Sequence, residues 1–213
     1  MALGFPTEAR TGGDILPILK FDAKGGDWIT QDRSQNSDGT WGKDENELPT
    51  PFKFVADMAE LQVGWLSFAT GAPDFQMVKI GEAMIAKPSD EHKNAVRMRI
   101  AISGEGKLRE FSHSAKTVLR VLDKLHDQFM AQRQENVGLL PVIEAGTPET
   151  IKMQSANGEL RFKAPTLNIV GWVERPAYFD GTVTAPSQEP APAMAAPAAA
   201  ATSTAAPAGS DLF

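Results

Sequence analysis

The chain of 213 residues is acidic, with 27 Asp and Glu against 21 Lys and Arg and a formal net charge of −6. It contains no cysteine, which excludes a disulfide framework, a thiolate nucleophile and a Cys-based zinc site. Residues 1–13 lack a basic start followed by an apolar stretch, and the sequence has no run of about 18 apolar residues, so we expect a cytoplasmic protein without an export signal or a membrane span.

The first predicted elements are short strands. Residues 15–21 (ILPILKF) form an apolar run that ends at a Gly-Gly turn, which is typical of a strand. Residues 30–51 are polar and punctuated by Gly and Pro, and a loop of this length inside a compact domain is expected to be either functional or mobile. Residues 52–68 predict one bent strand or two shorter ones, and residues 75–80 predict another.

The clearest strand signal lies at residues 95–103 (AVRMRIAIS). Alternation places four apolar side chains on one face and a mostly polar set on the other: Val96, Met98, Ile100 and Ile102 against Arg97, Arg99, Ala101 and Ser103. Such a pattern is typical of a half-buried antiparallel strand. The GEG turn at 104–106 then leads into KLREF, which predicts a hairpin.

A change to helical period follows at residues 114–133. Val118, Val121, Leu122, Leu125 and Phe129 form one apolar stripe, and Ser114 is the predicted N-cap. Beyond the helix, four short β-like runs (GLLPVIEAG, ETIKMQS, ELRFKAP and LNIVGWVERP) are separated by Gly, Pro and Asn. The fold class is therefore mainly β with one principal α-helix, and an antiparallel β-barrel of the oligonucleotide-binding (OB) type is the predicted architecture.

The composition changes abruptly after residue 180. The last 33 residues contain twelve Ala and five Pro, with Glu189 and Asp211 as their only charged side chains. Proline interrupts any helix that the alanines would favour. We expect a β-rich domain at 1–180, a disordered Ala/Pro-rich linker at 181–209 and a C-terminal tip at 210–213.

The tip combines apolar side chains with negative charge. Asp211 and the terminal carboxylate bracket Leu212 and Phe213, a combination that fits a shallow apolar pocket rimmed by Arg or Lys. With the linker before it, this arrangement resembles the single-stranded DNA-binding proteins of bacteria and their phages. The resemblance implies a non-enzymatic protein that coats single-stranded DNA without strong sequence preference. It also implies that the tip recruits replication, recombination and repair proteins, in the bacterial host cell if a phage encodes the chain.

A body that binds single strands needs cations for the phosphates. Between Lys79 and Arg133 the chain carries eleven Lys and Arg against seven Asp and Glu, so an acidic protein still has a cationic segment. The candidate cations are Lys79, Lys87, Arg97, Arg99, Lys107 and Arg109. We predict that the last four form one patch across the hairpin, although a solvated sheet face is an equal alternative.

Base stacking needs exposed aromatic rings, and the candidates are Trp41, Phe52, Phe54 and Phe75. Trp41 lies in the polar segment without apolar neighbours, so it is either an exposed binding residue or an ordinary loop residue. Phe52 and Phe54 flank Lys53 and share one face. They form either a stacking pair or the inward side of a strand, and the inward side is slightly favoured.

Other chemistry has little support in the sequence. Ser34 to Glu45 has part of the spacing of a calcium loop, but Ser34 stands where the first Asp belongs, so a mobile acidic loop is favoured. No nucleophile, cofactor loop or metal motif predicts an enzyme or a bound cofactor. The alternative function is a structural or adaptor protein, such as a phage virion or assembly component, whose domain contacts only protein. A homo-oligomer is compatible with either function.

Overall fold

The computed structural model describes residues 16–35, 38–155 and 158–180. The predicted linker and tip, including Asp211, Leu212 and Phe213, lie outside the described residues. The described part is mainly β with one α-helix, as the sequence predicts. Its strands are β1 (Ile18–Phe21), β2 (Trp28–Gln35), β3 (Trp41–Leu48), β4 (Phe52–Ala56), β5 (Gln62–Ser67), β6 (Asp74–Lys79), β7 (Lys93–Ile102), β8 (Arg109–His113), β9 (Leu139–Ser155) and β10 (Gly158–Glu174), and its helix is α1 (Lys116–Gln132).

The strands form one mixed sheet in the order β10-β9-β4-β7-β8-β1-β2-β3, with β5 also paired to β7 and β6 paired to β5. The pair of β1 and β8 is parallel, and the other pairs are antiparallel. Among the described residues no ladder joins β10 to β3. The closed OB-type barrel is therefore not shown.

The polar segment at 30–51 is largely a hairpin, and the expectation of a long loop is wrong. β2 and β3 pair from Trp28 opposite Leu48 to Gln35 opposite Trp41. Periodicity could not reveal β3 because most of its side chains are exposed, so neither face needs to be apolar. Backbone hydrogen bonds to β2 hold β3 in the sheet instead.

Beyond the helix, the four short β-like runs join into two 17-residue strands, β9 and β10. The register shifts between Ala164 and Thr166, where Thr147 and Pro148 lie opposite Pro165. Because proline cannot donate to a ladder, it is tolerated at such a bulge. Pro148 and Pro165, which the sequence places at the ends of predicted strands, therefore mark an irregularity inside two longer ones.

Helix α1 packs its predicted stripe against one face of the sheet. Val118, Leu122, Leu125 and Phe129 are buried in a core that contains four aromatic residues of the sheet, Phe21, Trp28, Phe54 and Phe111. The predicted N-cap was wrong, since Ala115 occupies that position without a side-chain cap. Its backbone N–H is satisfied by His113 Nδ1, 2.9 Å away.

The other face of the sheet carries a second, smaller core around Val55, Ala101, Leu140 and Phe179. The alternation predicted for β7 is confirmed for its four apolar residues, which are buried. It fails at Ala101, which is also buried because Phe179 packs over that end of the sheet. No helix in the described part of the chain is long and apolar enough to cross a membrane.

Candidate nucleic-acid interface

Strand register gathers basic side chains from separate parts of the chain on one face of the sheet. Arg33 of β2 lies directly opposite Lys43 of β3. The same face of the sheet carries Ile18 of β1, Glu110 of β8 and Arg99 of β7 in the next three strands. Alternation along each strand then adds the side chain two residues away. The cations on this face include Lys20, Arg33, Lys43, Arg97 and Arg99.

An open cavity of about 820 Å³ lies on this face. Its lining contains four cations, Lys20, Arg33, Lys43 and Arg97, and a single carboxylate, that of Glu110. We call this cavity the basic groove. Its excess of positive charge contrasts with the net charge of −6 of the whole chain.

Aromatic rings form one wall of the basic groove. Phe68 and Phe75, which flank the turn between β5 and β6, both line it. The side chain of Phe68 is 62% exposed, and the guanidinium of Arg97 lies 5.0 Å from the centroid of the Phe75 ring. Because a guanidinium plane and a phenyl ring both stack on a nucleobase, this pair is suited to holding one.

Two of the groove cations have carboxylate partners, and the other two have none among the described residues. Lys20 pairs with Glu45 at 3.0 Å, and Arg97 pairs with Glu110. Arg33 and Lys43 form no ion pair with any residue that the structure describes. Like charges directly opposite each other on neighbouring strands are destabilising, and a bound anion would relieve that repulsion.

Several predicted binding residues lie on the groove face. Arg97 and Phe75 line the groove itself. Trp41, which is 68% exposed, precedes Lys43 by two residues on β3 and therefore shares its face. Arg99 is exposed two residues beyond Arg97, and Lys79, on the same face of β6, pairs with Glu60.

Two other predicted cations lie elsewhere. Lys87 belongs to the exposed loop between β6 and β7, where its Nζ lies 3.5 Å from Asp90 Oδ1. Lys107 follows the turn after β7, and its Nζ lies 2.9 Å from Asp32 Oδ2. Neither side chain lines the basic groove.

The predicted patch of Arg97, Arg99, Lys107 and Arg109 does not form, because Arg109 is buried. The Arg109 side chain is only 1% exposed and donates to Asp32 at 2.9 and 3.0 Å and to Glu105 at 2.8 Å. Burial lowers the pKa of Arg109, but these two carboxylates raise it above its ordinary value. The register explains the error, since Arg99 lies opposite Glu110 and Arg109 therefore points to the other side.

The aromatic pair at 52 and 54 belongs to the core, as slightly favoured from the sequence. Phe54 is 1% exposed, so it has no face for a base. Phe52 is half-buried, and its ring meets that of Trp28 edge-on at 5.5 Å between centroids. A stacking role for Phe54 is thereby corrected.

The sequence reading missed four residues that line the groove, namely Lys20, Arg33, Lys43 and Phe68. A signal for two of them was present, because Arg33 and Lys43 are equally distant from residue 38 in the SDG turn. A hairpin centred there would place them opposite each other. The prediction of a loop at residues 30–51 excludes this pairing, and the hairpin corrects it.

His113, which lines the groove, is held neutral by its burial. Its Nδ1 accepts from the backbone N–H of Ala115, so the proton is on Nε2, which donates to the carbonyl oxygen of Phe21 at 3.0 Å. Burial lowers the pKa of His113 below its ordinary value, and this outweighs the hydrogen bond to Phe21 and the charge of Asp22.

We therefore expect the free energy of unfolding to fall as the pH drops below about 6.5, because the unfolded chain then takes up a proton at His113 that the folded chain does not. Urea unfolding at about pH 7.5 and about pH 5.5 should show a larger loss for the wild type than for the His113→Gln variant, which lacks this titration. An equal loss in both proteins would contradict the assignment.

The proposed calcium spacing does not gather ligands in the described residues. Ser34 donates to Asp44, and Glu45 pairs with Lys20. Asn36 lies outside the described residues. Within the described ranges, no group of three or more His, Asp and Glu side chains is arranged to hold a metal ion.

Comparison of the chain with models of protein families, with curated proteins and with solved structures finds no match. The candidate interface is therefore interpreted from its own geometry and charge.

Proposed function

We propose that the protein binds single-stranded DNA through the basic groove without strong sequence preference. The observation that carries the proposal is the lining of the groove, which combines four cations, one carboxylate and the rings of Phe68 and Phe75 in a chain whose net charge is −6. A positively charged groove beside aromatic faces is the general solution for binding single strands. Arg33 and Lys43 bind phosphates, and Phe68 and Phe75 stack on bases.

Preference for single strands follows from the same geometry. The ring of Phe75 can stack only on a base whose face is free, and bases in a duplex are already stacked on each other. Trp41 extends this surface beyond the groove on the face of Lys43. Hydrogen-bond readout of base edges is not needed, so sequence preference is weak.

The proposal includes the OB-type barrel and the C-terminal tip. The mixed sheet with a single helix supports an OB-like domain in part. The Ala/Pro-rich linker and the acidic, Phe-terminated tip support recruitment of replication and recombination proteins by Asp211, Leu212 and Phe213. The recruitment of partners therefore rests on the sequence, whereas DNA binding rests on the groove.

Titration of fluorescent oligo-dT and of a matched duplex tests the proposal. We expect tighter binding of the single strand and a steep loss of affinity with salt, with a log–log slope of about 0.7 for each phosphate that the protein neutralises. Stacking on Trp41 should quench tryptophan fluorescence, and a Trp41→Phe variant should lose that part of the quenching.

Absence of binding at low salt, or equal affinity for the duplex, would overturn the proposal. Unchanged tryptophan fluorescence together with no binding would favour the structural or adaptor protein that contacts only other proteins.

A further inference from the structure

Arg33 and Lys43 lie on a part of the β2–β3 hairpin that extends past its neighbouring strand. β1 pairs with β2 only from Trp28 to Gln31, whereas β2 and β3 remain paired as far as Gln35 and Trp41. We call residues 32–35 and 41–44 the distal arm. In the described part of the chain, no strand pairs with the β1-facing side of the arm.

The distal arm is joined to the body of the domain through Asp32. Its carboxylate accepts two hydrogen bonds from the guanidinium of Arg109, at 2.9 and 3.0 Å, and one from Lys107 at 2.9 Å. Arg109 lies on β8, two strands away across the sheet. Two parallel hydrogen bonds fix direction as well as distance, so this contact defines where the arm lies.

Arg109 is a rigid anchor for this contact. Its side chain is buried beside the core, and Glu105 accepts its third hydrogen bond at 2.8 Å. Burial raises the pKa of Asp32, but the hydrogen bonds from Arg109 and Lys107 outweigh it and hold this pKa below its ordinary value. The carboxylate is therefore charged at neutral pH.

Asp32 and Arg33 are neighbours on β2, so their side chains point to opposite faces of the strand. A fixed Asp32 therefore determines the position of Arg33 and, through the cross-strand pair, that of Lys43. We propose that the ion pair between Asp32 and Arg109 is a positioning device, which holds the distal arm so that Arg33 and Lys43 face the basic groove. This inference rests on the proposed DNA-binding function.

The Asp32→Asn variant tests the proposal because two explanations predict opposite results. Removing a negative charge near a DNA-binding groove should by itself tighten binding. Loss of the positioning contact should instead weaken binding of oligo-dT by about fivefold, equivalent to about 1 kcal/mol, which is a common coupling within one ion-pair network.

Glu105→Gln is the matched control. It removes the other carboxylate from the same arginine and changes the charge by the same amount, but Glu105 lies in the turn after β7 and not on the arm. We expect its affinity for oligo-dT to equal or exceed that of the wild type. Equal losses in the two variants would overturn the positioning role, and so would wild-type affinity in Asp32→Asn.

Two further measurements separate positioning from a general loss of structure. In an Arg33→Gln/Lys43→Gln background, Asp32→Asn should cause no additional loss of affinity, because the cations that it positions are gone. Hydrogen exchange of the peptide that covers residues 28–48 should be faster in Asp32→Asn than in Glu105→Gln, without DNA present. Unchanged exchange would also overturn the proposal.

The exchange measurement does not depend on DNA, so the two failures are distinguishable. A wild type that does not bind oligo-dT would refute the proposed function, whatever the exchange shows. If Asp32→Asn does not fold, Asp32→Glu replaces it, because it keeps the charge and displaces the carboxylate. The same loss of affinity relative to Glu105→Gln is expected, and its absence would overturn the proposal.

Discussion

The Arg33→Gln/Lys43→Gln double variant is expected to bind oligo-dT at least about tenfold more weakly than the wild type, since even one charged hydrogen bond to a phosphate contributes about 1.5 kcal/mol and the variant loses two. The log–log salt slope should also fall by about 1.4, because two phosphate contacts are lost. Fluorescence anisotropy at several salt concentrations measures both quantities. Removal of the directly opposed like charges should leave folding intact or slightly more stable.

The matched control is Arg120→Gln/Lys124→Gln, which removes one Arg and one Lys from the exposed side of α1. The helix packs on the face of the sheet opposite the groove face, so these cations lie away from the groove. The control should show nearly wild-type affinity and salt slope. Equal losses in both double variants would show that net charge, and not the groove, determines binding.

A second large effect is expected for Phe54→Ala, which should lower the free energy of unfolding by about 3 to 5 kcal/mol. Phe54 is buried in the principal core, with ring centroids 6.0 Å from Phe52 and 6.4 Å from Trp28. Truncation leaves a cavity among rings that are fixed by their own neighbours, so the site cannot collapse to fill it. Urea unfolding measures the change.

Phe75→Ala provides the contrast because Phe75 is only half-buried and lies in the groove. Phe75→Ala should lower the free energy of unfolding by less than Phe54→Ala does. The free energy of binding to oligo-dT should weaken by about 1 to 3 kcal/mol, because the variant no longer stacks on a base. Folded Phe54→Ala should bind like the wild type. Reduced affinity in Phe54→Ala at a temperature where it is fully folded would contradict the division between core and groove.

Elements with one buried face could be predicted from the sequence. The strand around Met98 and the helix around Leu122 were both identified, because burial on one side imposes a period on their apolar residues. The β2–β3 hairpin was missed for the converse reason, since β3 is solvated on most of its length. Backbone pairing alone imposes no period on the side chains of β3.

For a related reason, only some residues of the candidate site could be predicted from the sequence. Arg97 and Phe75 were both predicted as binding residues, and the register of β5 with β6 and β7 brings them together in the groove. Arg109, like Arg97, is an arginine in a predicted strand. The register nevertheless turns Arg109 towards the core, where two carboxylates neutralise its charge. The chemical type of a side chain does not reveal which face of a sheet it occupies when the register is unknown.

By itself, the sequence determined the mainly β class of the described residues, helix α1 and the strands whose burial is one-sided, because these depend on local periodicity. It also carries the linker and tip on which the idea of partner recruitment rests. Only the tertiary structure decided which cations meet, since Lys20, Arg33, Lys43 and Arg97 come from four strands and are brought together by register. Outside the β2–β3 hairpin, this register depends on pairing between strands that are distant in the chain, and no local pattern of residues encodes it.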